Sequence, residues 1–166
     1  MRARTPLDLK TLHSLCECPS LDALSDAIDR VVKRLGVDFW FYAVDLPLVT
    51  DAPNELRMGT YPEEWVRHYF DVDYIGIDPI ISHCHDHSTP LAWRDALAAR
   101  RRVVDPQMLK VRTMFGEATE FGLRNGVSVP LHGPGTGWGL MSFASRHLTG
   151  HDFDYLLPEL HLLAHF

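Results

Sequence analysis

The sequence predicts an α+β sandwich, an antiparallel sheet with helices on both of its faces. Residues 126–132 and 138–145 are two apolar runs whose glycine-rich link is short enough to demand an antiparallel hairpin. Residues 37–44 are β-branched, aromatic or apolar on nearly every position, which is typical of a strand covered on both faces. Segments with helical periodicity precede, separate and follow these strands, so helices are available to cover both faces.

The N-terminal part begins with an amphipathic helix. Ser20 is a capping residue and Gly36 is a natural C-terminal stop. Between them, apolar residues recur at helical spacing: Leu21, Leu24, Ile28, Val31 and Leu35. The strand at 37–44 follows directly. Residues 45–54 have the proline and aspartate content of a loop, and residues 55–61 are expected to form a short second strand.

Prolines mark helix starts in the middle of the chain. Pro62, followed by two glutamates, favours a helix that places Trp65 and Tyr69 on one face. Asp78-Pro79 is a capping carboxylate followed by a proline whose missing N–H costs nothing at that position. It predicts a short helix that reaches His87.

The last third of the chain adds an extended segment and two helices. Residues 91–93 are expected to be extended, because they follow a proline. Asp105-Pro106 predicts the start of a helix that Gly122 stops. Residues 152–166 are expected to form a closing helix that Pro158 kinks or divides into two.

Length and composition exclude several classes of protein. The 166 residues fit one domain, and the formal net charge of −6 argues against nucleic acid being held by these residues. No stretch approaches the roughly 18 apolar residues needed to cross a bilayer, so no membrane partner is expected. The three cysteines fit no disulfide framework and no leader-like segment is evident, which predicts a reduced, cytoplasmic protein.

A histidine-rich run between residues 82 and 87 contains metal-ligand types. His83 and His87 are four apart, but the glutamate of an HExxH motif is missing and no third ligand has a matching spacing. Solvated histidines at a helix end explain the run better, so no metal and no cofactor are expected. The enzymatic alternative is a metal-assisted hydrolase of a cyclic ester or an amide that uses His83, His85, His87 and Asp86. It lacks a general base, and we expect no enzyme.

A second set of residues is aromatic and contains one carboxylate. Its members are Tyr61, Trp65, Tyr69, Tyr74, Asp78 and Trp93. When buried, tyrosine and tryptophan tips need hydrogen-bond partners, and a buried aspartate needs donors. One interpretation is a closed pocket for a small, mostly apolar ligand with an amide. The other is that Asp78 only caps a helix and the aromatic residues only fill the core.

The spacing of this set matches a known family. Tyr61-Pro62-x-x-Trp65-x-x-x-Tyr69, Tyr74-x-x-x-Asp78-Pro79 and Pro90-x-x-Trp93 resemble the N-terminal autoinducer-binding domain of LuxR-type quorum-sensing regulators. Gly122, Gly126, Val129-Pro130-Leu131-His132-Gly133 and Gly139-Leu140-Met141-Ser142 resemble the end of that domain. The likeness covers residues 20–166. It implies an α/β/α sandwich and one autoinducer-binding domain over residues 1–166.

The resemblance also implies a ligand, an N-acyl-homoserine lactone. Trp65 would donate to the lactone carbonyl, Tyr61 would donate to the acyl carbonyl, and Asp78 would accept the amide N–H. The remaining head-group positions are Tyr69 and Trp93, which would wall the lactone, and Ser142, which would bond the amide carbonyl. By position, the acyl chain would pass Phe41, Ala43, Ile81, Cys84, Met114, Phe115, Ser128 and Leu140.

One position departs from the family pattern. Counting back by twos from Tyr61 places Arg57 and Glu55 on one strand face, where family members have apolar residues. Arg57 is therefore expected to reach the pocket, where it limits chain length or meets a polar substituent. In the alternative, Arg57 and Glu55 pair at the pocket's rim.

The implied function is a non-enzymatic signal receptor. Ligand completes the core, so binding and folding are linked, and the ordered domain forms a homodimer. Family members continue into a helix-turn-helix domain that nothing here resembles, so DNA contact is expected only through a C-terminal domain absent from this chain. The chain is either the sensor domain of a longer regulator or a natural half-length protein. A receptor for a non-lactone signal and a dimerisation module without ligand remain alternatives.

Overall fold

The computed structural model describes residues 7–46, 54–98, 105–133 and 137–166. Its helices are α1 (Leu9–Cys16), α2 (Leu21–Arg34), α3 (Glu63–Asp71), α4 (Pro79–Asp86), α5 (Trp93–Ala98), α6 (Pro106–Glu120) and α7 (Gly150–His165). Its strands are β1 (Phe39–Leu46), β2 (Asn54–Gly59), β3 (Leu91–Ala92), β4 (Asn125–His132) and β5 (Trp138–Ser145). A 3-10 turn, Tyr74–Gly76, lies between α3 and α4. Residues 47–53 of the predicted loop and 134–136 of the glycine-rich link lie outside the described residues.

The strands form one sheet in the order β2-β1-β5-β4-β3, and each neighbouring pair is antiparallel. The predicted hairpin between β4 and β5 is confirmed. The register aligns Phe41 with Ser142, Ser142 with Ser128, and Ser128 with Leu91. Since paired residues point to the same face of a sheet, these side chains form one row across it.

The two faces of the sheet contribute to two separate cores. Met141 and Phe143 of β5 pack with side chains from α1, α2 and α7. Leu140 and Ala144 point the other way and pack with side chains from α3, α4, α5 and α6. Helices therefore cover both faces, and the predicted α/β/α sandwich is confirmed. The second core surrounds the candidate site.

The predicted helix caps are also confirmed. The Ser20 side chain accepts a hydrogen bond from the Ala23 N–H at the start of α2. Asp78 and Asp105 do the same at the starts of α4 and α6, each followed by a proline in the first turn. Gly122 has a positive φ of 91° just after α6, the left-handed conformation that ends a helix at glycine.

The closing helix differs from its prediction. It begins at Gly150, where Thr149 and Asp152 form a capping box, and it continues as one helix through Pro158. A proline frees the carbonyl four residues earlier, here that of Asp154. Both residues are exposed, so water can satisfy this carbonyl and the helix is not divided.

Two further helices were not predicted. Trp93 was expected in an extended segment, but it is the first residue of α5, which at six residues is too short for periodicity to reveal. The helix α1 did carry a sequence signal. Asp8 accepts a hydrogen bond from the Thr11 N–H as its cap, and the apolar residues Leu9, Leu12 and Leu15 follow at a spacing of three. None of the helices described is long and apolar enough to cross a membrane.

Candidate functional site

A cavity of about 290 Å³ lies between the sheet and the helices α3, α4 and α6. Its lining is mostly apolar, with a few polar tips, as is usual for a small-molecule site. The six residues predicted around a ligand head group all line it: Tyr61, Trp65, Tyr69, Asp78, Trp93 and Ser142. They come from different elements and meet only because the helices fold back onto one face of the sheet.

The residues predicted along an acyl chain divide into two groups. Six of them line the cavity: Phe41, Ala43, Ile81, Met114, Phe115 and Leu140. Arg57, Cys84 and Ser128 are not among the lining residues. Cys84 is fully buried in the second core, where burial raises the pKa of its thiol to about 12. It therefore behaves as a small apolar side chain.

Arg57 meets the cavity only through a neighbour. Its guanidinium carbon lies 4.3 Å from the ring centroid of Phe70, and Phe70 lines the cavity. Arg57 pairs with Ala43 across the strands, so it is on the cavity face of the sheet, as the alternation predicted. The alternative pairing with Glu55 concerns a side chain outside the described part of the chain.

Asp78 is the buried carboxylate of the site. One oxygen accepts a hydrogen bond from the Ile80 N–H at 2.8 Å, and the other accepts one from the Tyr69 hydroxyl, also at 2.8 Å. Burial raises the pKa of Asp78 to about 6, against the opposing effect of these hydrogen bonds. A carboxylate has about four acceptor sites, so two partners leave it able to accept another donor.

The hydroxyl of Tyr61 is buried on the cavity wall with no hydrogen-bond partner among the described residues. Burial raises the pKa of Tyr61, and the neighbouring Ser142 hydroxyl offsets this shift only in part. The Tyr61 ring packs against Phe41, with 5.3 Å between the ring centroids. A buried hydroxyl without a partner carries a desolvation penalty of about 1 to 3 kcal/mol, which a ligand acceptor would relieve.

Trp93, Ser128 and Ser142 form a hydrogen-bonded chain behind the cavity. The Trp93 indole N–H donates to the Ser128 hydroxyl oxygen at 3.0 Å, and the Ser128 and Ser142 oxygens are 2.7 Å apart. Indole can only donate, so the Ser128 oxygen is the acceptor of the bond from Trp93, while either serine hydroxyl can be the donor of the other bond. Ser128 is thus joined by hydrogen bonds to two residues that line the cavity.

Trp65 is held by an aromatic cluster that sequence reasoning missed. The Glu117 carboxylate accepts from the Tyr74 hydroxyl at 2.7 Å and lies 2.7 Å from the His68 ring nitrogen. These hydrogen bonds hold the pKa of Glu117 below its ordinary value, while burial and Glu117 together raise that of Tyr74 to about 12. Tyr74 in turn stacks on Trp65, with 6.3 Å between ring centroids. No local pattern links positions so far apart in sequence.

Several other lining residues were also not predicted. They are Val44, Val66, Phe70, Ile75, Ile80, Ala118, Leu123, Trp138 and Gly139. Trp138 could have been found, because it shares the strand parity of Leu140 and Ser142 on β5. Ile75 could not, since it belongs to a three-residue 3-10 turn that has no periodicity of its own.

The histidine run does not form a metal site. Within the described residues, no group of three or more histidine, cysteine, aspartate or glutamate side chains is arranged to hold a metal ion. His83 instead bonds the Thr89 carbonyl at 2.7 Å, and its ring stacks on that of His87 at 4.6 Å. His85 pairs with the adjacent Asp86 at 2.7 Å. These contacts agree with solvated histidines at the end of α4.

Comparison with known proteins supports a regulatory family. The family model described as "Autoinducer binding domain" matches residues 20–166. The transcriptional activator protein AhyR of Aeromonas hydrophila is 32% identical over 131 residues, which is 79% of this chain and 49% of that protein. The chain therefore spans about half the length of such curated relatives.

Solved structures show the same fold. The N-acylhomoserine lactone dependent LuxR family transcription factor CepR2 from Burkholderia cenocepacia matches with a TM-score of 0.71 and 23% identity. The match covers 93% of this chain and 90% of that one. Escherichia coli SdiA in complex with octanoyl-rac-glycerol matches with a TM-score of 0.67 and 19% identity, covering 93% and 61%. At these identities the likeness concerns the fold alone.

Proposed function

The chain belongs to the autoinducer-binding domain family of LuxR-type regulators, and from that premise we propose that its cavity encloses an N-acyl-homoserine lactone. The lactone head lies among Trp65, Tyr69 and Trp93, and the acyl chain runs along the sheet past Phe41 and Leu140. The domain carries out no catalysis on this ligand, in keeping with relatives that are transcriptional activators.

The polar tips of the cavity are suited to the three polar groups of such a ligand, the amide N–H, the amide carbonyl and the lactone carbonyl. Asp78 accepts the amide N–H, Tyr61 donates to the acyl carbonyl, and Trp65 donates to the lactone carbonyl. Ser142 bonds the amide carbonyl, which is the same acyl carbonyl that Tyr61 meets. The remaining lining is apolar, which suits an alkyl chain.

The observation that carries the proposal is a buried hydroxyl without a partner in the same cavity as a buried carboxylate. Among the described residues the Tyr61 hydroxyl has no acceptor, and Asp78, with one hydrogen bond to each oxygen, can accept a further donor. A secondary amide offers one acceptor and one donor next to each other. If Asp78 and the aromatic residues had only a structural role, nothing would compensate for the desolvation of the buried Tyr61 hydroxyl.

The test is to express the domain with a series of acyl-homoserine lactones and to identify the extracted ligand by mass spectrometry. We expect one lactone in a near-equal ratio to the protein, and its loss in Asp78→Ala. Octanoyl-rac-glycerol is the competing probe, since it shares an acyl chain but lacks the amide. Retention of the glycerol ester in place of every lactone would show that the receptor serves a non-lactone signal.

We expect Tyr61→Phe to weaken lactone binding by about two- to tenfold, the value of one neutral hydrogen bond of 0.5 to 1.5 kcal/mol. The same change removes a buried hydroxyl that has no partner, so the ligand-free domain should gain stability or keep it. Calorimetric titration and urea unfolding measure the two quantities. A variant that loses stability without ligand would show that the hydroxyl already has a partner.

Arg57 is proposed to limit acyl-chain length through Phe70, on whose outer ring face it lies. An exposed cation–π contact is worth about 0.5 to 1 kcal/mol. We expect Arg57→Ala to loosen Phe70 and to raise the affinity for longer chains by about two- to fivefold relative to shorter ones. An unchanged chain-length preference across a lactone series would contradict this role.

The wider assembly follows from the family and is proposed on that basis. The domain forms a homodimer, and DNA is contacted only by a C-terminal helix-turn-helix domain outside this chain. The cysteines are free, which is consistent with a reducing, cytoplasmic location. Sedimentation of the domain with and without lactone tests the dimer.

A further inference from the structure

A second cleft, of about 330 Å³, opens on the outer side of the lactone cavity. It lies between the 3-10 turn, α4, the start of α6 and the start of β5. Four residues line both spaces: Ile75, Asp78, Ile81 and Trp138. These four residues therefore lie between the cavity and the cleft.

Three of the four shared residues form an apolar partition. Ile75 is 40% exposed, although it also lines the cavity, so it is the least tightly packed member. Trp138 is anchored from the cleft side, where its ring meets His85 edge-on with 5.4 Å between the ring centroids. An alkyl chain could pass between these side chains without leaving apolar contact.

A polar wall completes the lining of the cleft. It carries Ser82, His85, Asp86 and Gln107. These side chains offer hydrogen-bond donors and acceptors, and the Asp86 carboxylate gives the wall a negative charge. A neutral polar group at the end of a chain would be accommodated there, whereas a second carboxylate would be repelled.

We propose that this cleft is an outlet for the far end of the bound acyl chain. The class of ligand it selects is a lactone with a long chain, whose tail passes between Ile75, Ile81 and Trp138. The tail ends near Ser82, His85 and Gln107 and is either solvent-exposed or carries a neutral polar group. This proposal rests on the proposed lactone function, and it adds a site for the tail that the cavity alone does not provide.

An outlet predicts a distinctive dependence of affinity on chain length. While the chain fills the closed cavity, each added methylene should raise the affinity by about fourfold. Beyond the partition, further methylenes meet water and the affinity should level off. A sealed cavity predicts instead a fall in affinity once the chain is too long, because overpacking a core destabilises it.

The direct test uses lactones that carry an azide at the end of the acyl chain. Bound to the domain, they are treated with a strained-alkyne dye, which reacts only with an azide that it can reach. We expect the azide on a long chain to react at nearly the rate of the free ligand and the azide on a short chain to be protected. A terminal hydroxyl should be tolerated on the long chain, and a terminal carboxylate should lower the affinity.

Ile75→Trp narrows the outlet. It should lower the affinity for long-chain lactones relative to short-chain ones, and it should slow the reaction of the dye with the azide on a long chain. Val72→Trp is the matched control, because Val72 is similarly exposed at 47% but lines neither space. The Val72→Trp variant should keep both the levelling-off of affinity with chain length and the reaction of the dye with a long-chain azide. Protection of the azide at every length, with affinity falling for long chains, would overturn the outlet and leave lactone binding intact. Failure of every lactone to bind would overturn both proposals.

Discussion

Replacing Asp78 with asparagine should stabilise the ligand-free domain and at the same time weaken lactone binding. Asparagine is nearly isosteric with aspartate and is an equally good helix cap, so the hydrogen bond from the Ile80 N–H survives. What disappears is the negative charge of a residue that is only 8% exposed, together with the oxygen that accepts from the Tyr69 hydroxyl. The two effects have opposite signs because the buried charge destabilises the ligand-free protein, whereas the bound ligand donates a hydrogen bond to it.

The size of the stability change follows from the shift in pKa. The pKa of Asp78 rises from 3.8 to about 6 on folding, mainly through burial, so the folded state binds its proton more tightly than the unfolded state. Stability due to this group therefore falls as pH rises from about 4 to 6, and the full penalty is present at pH 7. A shift of this size corresponds to about 3 kcal/mol.

Ligand binding has the opposite dependence on pH. An amide N–H donated to Asp78 favours its ionised form, so lactone affinity should fall as pH drops through about 6, and binding near that pH should release a proton. Loss of a hydrogen bond to a charged group costs about 1.5 to 3 kcal/mol, so Asp78→Asn should weaken binding by roughly 10- to 100-fold.

Urea unfolding and calorimetry at pH 5 and pH 7 measure both effects. The Asp78→Asn variant should have the higher urea midpoint at pH 7, and its affinity should vary less with pH than that of the wild type. An asparagine variant that is less stable than the wild type at pH 7 would show that the lost hydrogen bond from the Tyr69 hydroxyl outweighs the removal of the buried charge.

The parts of the fold that the sequence predicted are those with local signals. Caps at Ser20, Asp78 and Asp105 sit next to the helices that they start, and strand alternation places Arg57 on the cavity face without any tertiary information. The residues proposed to surround the head group were predicted from the spacing of a family motif. The structure then shows that they line one cavity.

Features that depend on long-range packing could not be predicted from the sequence. Glu117 reaches Tyr74 and His68 from another helix, and the Ser128 hydroxyl is hydrogen-bonded to Trp93 and Ser142 and does not line the cavity. Neither arrangement has a periodic or motif signature. The second cleft arises where the 3-10 turn, α4, α6 and β5 meet, so it follows only from tertiary structure.

Gly59→Ala should cost about 3 to 5 kcal/mol of stability, the sum of backbone strain and steric overlap. Gly59 ends β2 with a positive φ of 148°, which side chains rarely adopt. A methyl group there would overlap the Trp40 carbonyl oxygen and lie 2.8 Å from the Phe41 Cα. Both contacts are with backbone, which cannot move aside without disturbing the pairing of β1 with β2.

Two other glycines distinguish the effect of backbone strain from that of steric overlap. Gly36 has a positive φ of 84°, but nothing lies within 4 Å of an added methyl, so Gly36→Ala should cost only the strain, about 1 to 2 kcal/mol. Gly116, within α6, also has open space around it, and Gly116→Ala should stabilise the helix by about 0.5 to 1 kcal/mol. Equal losses for Gly59→Ala and Gly36→Ala would show that the overlap is relieved at no cost.

Lactone should rescue only one of the two destabilised variants. A ligand at a hundred times its dissociation constant adds about 2.7 kcal/mol of stability, enough to offset the strain of Gly36→Ala. Gly36 does not line the cavity, and its neighbours Leu35 and Val37 belong to the other core. Gly59 is two residues before Tyr61, and Thr60 between them is held to the Trp40 backbone by hydrogen bonds of 2.8 and 3.2 Å. A shift of β2 that accommodates a methyl group at position 59 therefore also moves the Tyr61 hydroxyl. This shift lowers the affinity for lactone, so the ligand adds little stability to the Gly59→Ala variant. Thermal unfolding with and without lactone should show a large ligand-induced shift for Gly36→Ala and a small one for Gly59→Ala.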